Sequence, residues 1–333
     1  MERAVIHSDL KKQEIQPQLL LKKYLALLKE DIKEMLPVGS LQEATCPVTG
    51  EREVQESFWK MDMHYLVSRT YGNIYLSPRP AMDVLKAFYR ESDAREFWLN
   101  KLWPKTEVVR LEKIILPQLE WAQGFISQYF SGRKLCMAEY LPNHWGYYIS
   151  ATDLFPESDY KLVESLFDPS TAREKVSDSE MRNEVDDNSL DVAFLFEGLD
   201  RSIEPIVILQ KVFNSLKPGG LCFITCLLSS GFEVQVLGRE SEIFVPPERM
   251  NLFSYEGMNA LVEKVGGFEI LEFSTPGVLE IPNVIKQLDQ TKNTTFFRYI
   301  LKQRQDAELV GSFQDFLQMN RLGTFGRLVL RKR

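Results

Sequence analysis

The sequence predicts an α/β fold with a mainly parallel sheet, and three observations predict it. From Gly132 onward, apolar strand-like runs alternate with helical segments. That is the pattern of strands buried on both faces between layers of helix. The run Lys217-Pro218-Gly219-Gly220 stops a helix and opens a strand, because proline cannot continue a helix and glycine supplies the left-handed turn. The bulk properties agree. A chain of 333 residues, 44% hydrophobic and 26% charged, can bury a sizeable core without disulfides or metals.

From the N-terminus, the first element is an amphipathic helix over residues 18–36. It puts Leu21, Leu25, Leu28, Ile32 and Met35 on one face, and Pro37 and Gly39 end it. That face packs on the body of the chain, on a second copy, or on a different partner. Glu30, Asp31 and Glu34 offset its lysines, which argues against a membrane-surface helix. Residues 46–80 read as short strands joined by turns at Pro47-Val48-Thr49-Gly50 and Arg69-Thr70-Tyr71-Gly72. Residues 81–130 read as mostly helical, kinked at Pro117. Strands are then expected over 134–139, 147–151, 190–196, 221–226, 268–273 and 327–331. Helices are expected over 205–216, 254–265 and 284–305. The acidic segment 173–188 reads as a loop or short insertion. The layout is a helix at 1–45, a small helical and turn-rich region at 46–105, and the α/β unit at 106–333.

The net charge of −7 excludes general nucleic-acid binding. No apolar run is long enough to cross a bilayer, and the start MERAVIHSDLKKQEIQ is too polar for a secretory signal. Cys46, Cys136, Cys222 and Cys226 form no disulfide framework; the last three sit in strand-like runs as core thiols. A cytoplasmic location is the simplest expectation. Phosphate-loop, HExxH and GxSxG motifs are absent from the sequence. Asp186, Asp187 and Asp191 read as a solvated turn rather than a metal site.

One long run is more specific. DDNSLDVAFLFEGLDRSIEPIVILQKVFNSLKPGGLCFIT, residues 186–225, resembles the fourth and fifth strands of the class I S-adenosylmethionine (SAM) dependent methyltransferases. GFEILEFSTPGVLEI is similar to the sixth strand of that family and its exit, and GRLVLRKR to the seventh. The resemblance implies a Rossmann-like seven-stranded sheet ending in an antiparallel hairpin. CPVTG, YGNIYLSPRP and FYRESDAREFW resemble a bacterial subgroup with a zinc knuckle ahead of the methyltransferase domain. Several members of that subgroup act on nucleotide sugars or surface polysaccharide. The resemblance covers roughly residues 46–333.

The chain departs from the family in three places. The subgroup's knuckle has four thiolates, but here only Cys46 remains among Cys46-Pro47-Val48-Thr49-Gly50 and Ser68-Arg69-Thr70-Tyr71-Gly72. His64 adds one ligand at most, so no metal ligands and no zinc are expected. The mini-domain would rest on Phe58, Trp59, Tyr65 and Tyr75. The family's first strand ends in an acid and a glycine-rich loop. Here LCMAEYLPNHWGYYISATD, residues 135–153, offers Glu139, bulky neighbours and one glycine. With a second strand at 147–151, Asp153 becomes the ribose-binding acid, and the interval is too short for a loop, a helix and a turn. Finally, the family's FExLEH is replaced by Phe196-Glu197-Gly198-Leu199-Asp200-Arg201. Arg201 cannot act as a base there and reads as a solvated surface residue or an anion ligand.

Three functions follow as expectations. The first is a diverged, non-methylating protein of this fold, with no cofactor favoured, that binds a nucleotide sugar, assists a partner or runs another reaction. The second is an active SAM-dependent methyltransferase, with Glu139, Asp153 and Glu197 around the cofactor and His144 or Tyr148 as the base. The third is a scaffold that forms a homodimer or binds a different partner through its N-terminal helices. A crevice lined by Glu139, Asp153 and Glu197 favours the second; one plugged by Tyr140, His144 and Trp145 favours the first.

Overall fold

A computed structural model describes residues 5–130, 132–167, 176–177, 179–291, 294–304 and 306–333. The expected loop at 173–175 and 178, and the first four residues of the polar start, lie outside them.

Helix α1 (Gln18–Met35) forms as its periodicity predicts. Its buried side chains, Tyr24, Leu28 and Ile32, join Tyr65, Leu76 and Phe88 in one cluster. Buried Asp31 accepts hydrogen bonds from the Ser92 hydroxyl (2.6 Å) and the Ala94 N–H (2.8 Å). The apolar face is therefore covered by the chain itself, the first of the three outcomes open to it. A partner using this helix would meet its other face, where Leu19 is exposed.

Strands Val54–Lys60, Met63–Ser68 and Ile74–Leu76 form an antiparallel sheet, which Asn251–Leu252 extends from far along the chain. The two knuckle-like turns close through main-chain bonds, Gly50 N–H to Cys46 O (2.8 Å) and Gly72 N–H to Ser68 O (3.1 Å). Asn73 bridges outward from them. Its amide donates to Cys46 Sγ (3.7 Å) and accepts from Ser254 N–H (2.9 Å). Among the described residues no group of three or more His, Cys, Asp or Glu could hold a metal. The following helical run, 82–129, widens into a π turn at Leu111–Ile115, just ahead of Pro117.

The main sheet begins with β1 (Cys136–Tyr140). Helix α2 (Gly146–Leu154) carries the chain to β2 (Asp159–Val163), and β3 (Met181–Arg182) and β4 (Leu190–Phe196) follow. Helix α3 (Pro205–Ser215) leads to β5 (Leu216–Leu227). Beyond α4 (Phe232–Leu237) and α5 (Tyr255–Val265) comes β6 (Phe268–Ser274). Helices α6 (Glu280–Gln287) and α7 (Ala307–Met319) then precede β7 (Phe325–Lys332). The spatial order is β3-β2-β1-β4-β5-β7-β6, with β7 antiparallel to both neighbours and the remaining pairs parallel. This is the class I methyltransferase sheet. Its two faces hold separate cores, one around Leu195, Leu209 and Ile224, the other around Met137, Phe194 and Phe223.

Two expectations are corrected here. Residues 147–151 are helix, not strand: Tyr147, Tyr148 and Ala151 are buried, and α2 has no broad polar face to mark its period. The second strand lies at Asp159–Val163, so residues 141–158 do contain a loop, a helix and a turn. In place of one helix over 284–305 the chain has Glu280–Gln287 with a turn at Leu288–Gln290, then Thr295–Arg298 continued by a π turn at Tyr299–Gln303, with a further helix at Ala307–Met319; residues 292, 293 and 305 lie outside the described set. Among the described residues no helix is long and apolar enough to cross a membrane.

Candidate functional site

A cavity of about 690 Å³ lies beyond the carboxyl ends of β4 and β5 and the start of β7. Residues 6–10, 15 and 16 and the helical run around Trp103–Gln118 line its outer side. This N-terminal segment is tied down by Gln318, whose amide bonds both the N–H (2.7 Å) and the carbonyl (2.9 Å) of Ile6. Arg110 adds a bond to Ile15 O (2.6 Å).

One end of the cavity is rich in arginine. Glu197 ends β4 in the left-handed region (φ 54°), and its N–H donates to Thr225 O (2.8 Å). Its carboxylate meets Arg249 (2.6 Å) and Arg201 (3.4 Å). Burial alone would raise the Glu197 carboxyl, but the two guanidiniums hold it down to about 2. Asp200 shares Arg249 (3.7 Å), yet burial pushes it up to about 7. Arg201 is not solvated as expected: it is 3% exposed, bonds Phe196 O (3.2 Å), and leaves Nε without a partner. The reason is local, because Glu197 and the strand's own carbonyl capture it.

His144 stands at this end, tilted against Trp103 (ring centroids 4.5 Å) and stacked on Tyr147 (5.7 Å). Its Nδ1 accepts Gly146 N–H (3.0 Å), so the neutral ring carries its proton on Nε2. Burial, then the charges of Arg95, Arg201 and Arg110, hold its pKa well below the ordinary imidazole value. In this geometry the neutral ring has Nδ1 engaged and presents Nε2–H as a hydrogen-bond donor.

The structure brings Glu197 and His144 together and leaves the other expected residues elsewhere. Asp153 is exposed on α2, far in sequence from the end of β2. The acid that does end β2 is Glu164, ion-paired with Lys211. Tyr148 packs on Tyr160 (5.8 Å); its neighbour Tyr147 is the one that lines the cavity, stacked on Phe196 (4.2 Å). Glu139 does not line the cavity: it is 2% exposed within β1 and accepts the Tyr160 hydroxyl (3.3 Å). Burial, eased by that bond, raises its pKa to about 8. A raised carboxyl contributes stability that is complete below the ordinary carboxylate range and is lost as pH rises through about 8. Glu139→Gln should therefore melt several degrees above the parent at pH 9 and no higher than it at pH 5. Equal differences at both pH values in thermal unfolding would contradict this.

The exits of β1 and β2 touch directly. Leu141 N–H donates to Val163 O (2.9 Å), and Leu166 N–H to Pro142 O (2.9 Å). A Cβ on Gly198, after β4, would lie 3.2 Å from Tyr140 O. Leu141, Glu164 and Glu197 all have positive φ, so three neighbouring strand exits each hold a strained non-glycine residue. Sequence reasoning missed Tyr147, Arg110 and Arg249. Only the four-residue spacing of Glu197 and Arg201 was a local signal of the network.

No family model and no curated protein matches the chain. Solved structures do. Phosphoethanolamine N-methyltransferase 2 of Haemonchus contortus is 13% identical, with 84% of this chain and 71% of that one covered and a TM-score of 0.45. A SAM-dependent methyltransferase of Thermotoga maritima is 16% identical (72% and 98% covered, TM-score 0.43). One from Mesorhizobium loti is 11% identical (60% and 91%, TM-score 0.39). The assignment of the fold rests on the strand order described above.

Proposed function

We propose that this chain is a diverged protein of the methyltransferase fold that does not hold SAM in the ordinary way. Its function is carried by the cavity, which takes a small polar ligand by an anionic group. One observation carries the first part: the exits of β1 and β4 close on each other, a Cβ on Gly198 lying 3.2 Å from Tyr140 O and 3.7 Å from Leu141 Cβ. In doubly wound sheets, ligands enter the crevice outside the strand ends at the switch in strand order, here between β1 and β4. Leu141 and Gly198 occupy that position, and Glu164 is neutralised by Lys211. These residues do not fit a nucleoside there. The second part rests on Arg249, Arg201 and Arg110, which outnumber the acids Glu197 and Asp200 around the cavity end. A nucleotide sugar, which the sequence resemblance implies, belongs to the same ligand class. Isothermal titration with SAM and with S-adenosylhomocysteine should give no binding in the micromolar range; micromolar binding of either overturns the reading.

A second reading, an active SAM-dependent methyltransferase, is favoured by the cavity's reach from Asn143 and His144 after β1 to Glu197 after β4. It requires methyl transfer from labelled SAM to a nucleotide sugar or a small hydroxy compound.

A further inference from the structure

The far end of the cavity carries the opposite charge. Glu233 on α4 and Glu280 at the start of α6 both line it and are 2% and 3% exposed. Glu233 accepts the Ser241 hydroxyl (2.5 Å) and the Asn283 amide (2.6 Å). Glu280 Oε1 accepts the N–H groups of Thr324 (2.7 Å) and Phe325 (3.3 Å). Among the described residues Glu280 Oε2 and Asn283 Oδ1 have no partner. The orientation of the Asn283 amide is set by its bond to Glu233, so the free atom is the acceptor.

Cations on neighbouring segments are engaged elsewhere: Lys12 and Lys286 with Glu242, and Arg327 with Glu272. Two buried carboxyls without a cation are an unstable arrangement. Accordingly, burial and then the charge of Glu233 raise Glu280 to about 7. The seat of Glu280 is shaped by the backbone, since a Cβ on Gly277 would fall 2.2 Å from Glu280 Oε1. Two acids and one amide are too few for a closed metal shell. They do match the three donors of a primary ammonium group.

We propose that the cavity binds a zwitterionic small molecule, its anionic group at Arg249, Arg201 and Arg110 and its primary ammonium at Glu233, Glu280 and Asn283. This rests on the reading of the arginine end given above. The test is calorimetry on the intact chain at neutral pH. The probes are ω-aminoalkyl phosphates of two to six carbons, with the matching alkyl phosphates as controls. At least one length should bind about tenfold tighter with the amine than without it, the scale of a hydrogen-bonded charge. Glu280→Gln should remove that preference and leave the alkyl phosphate affinity unchanged. Asn283→Ala, at a half-buried position, should reduce the same preference. Alkyl phosphates binding with no amine preference at any length would overturn the ammonium site alone. If neither series binds, the anion-binding reading fails and the zwitterion with it.

Discussion

Arg249→Gln is expected to destabilise the fold by about 2–4 kcal/mol, read as a lower midpoint of urea unfolding at constant slope. The substitution leaves Glu197 ionised in a site whose charge it shared at 2.6 Å, with Asp200 close by. Breaking a fully buried pair costs about 3–5 kcal/mol; the lower figure allows for Glu197, whose side chain is 30% exposed. The loss should depend on pH in a definite direction. A depressed carboxyl contributes stability that is present above its ordinary value of 4.5 and is lost as pH falls towards about 2. The gap between parent and variant should therefore close across that interval. Glu197→Gln combined with Arg249→Gln should recover part of the loss, because Glu197 no longer remains as an uncompensated charge; the rest stays lost, since Arg201 and Asp200 each lose a partner. A single-variant loss below about 0.5 kcal/mol would mean that the pair is screened like a surface ion pair.

Gly231→Ala is expected to cost about 3 kcal/mol, the upper part of the overpacking range. A Cβ there would sit 2.3 Å from Thr324 Cα and 2.6 Å from its nitrogen. Both are main-chain atoms at the entry to β7, so no rotamer change relieves the contact. Thr324 must move, and it donates to Glu280 (2.7 Å) and accepts from the Glu233 N–H (3.2 Å). Gly124→Ala is the control of opposite sign. It lies inside a helix with nothing within 4 Å of a new Cβ and should stabilise by about 0.5–1 kcal/mol. Equal effects of the two substitutions in urea unfolding would refute the steric argument.

The central strands were legible because they are apolar on both faces. Leu190–Phe196 is buried along its whole length, and only Asp191, buried against Arg133 and Lys217 rather than in a solvated turn, interrupts its apolar run. The first crossover was not legible. In α2 the inward residues are two tyrosines and an alanine beside further apolar residues, and strand and helix periods cannot be told apart over so short a run. That single misreading moved the second strand and placed Asp153 where Glu164 belongs. The site was half legible for a different reason. Glu197 and His144 lie beside strand exits, where the fold makes chemistry expected. Arg249 comes from 52 positions further along, and Glu233 and Glu280 from helices beyond β5, so their meeting is a property of the folded chain alone.

The contacts between the exits of β1 and β2 have a consequence for redesign. Leu141 to Val163 and Leu166 to Pro142 are bonds between main-chain atoms, so side-chain exchange leaves them in place unless proline removes the donor at 141 or 166. Widening the gap between these two loops therefore calls for residues to be inserted or removed, so that the loops change length. Most point substitutions instead tune what the cavity accepts.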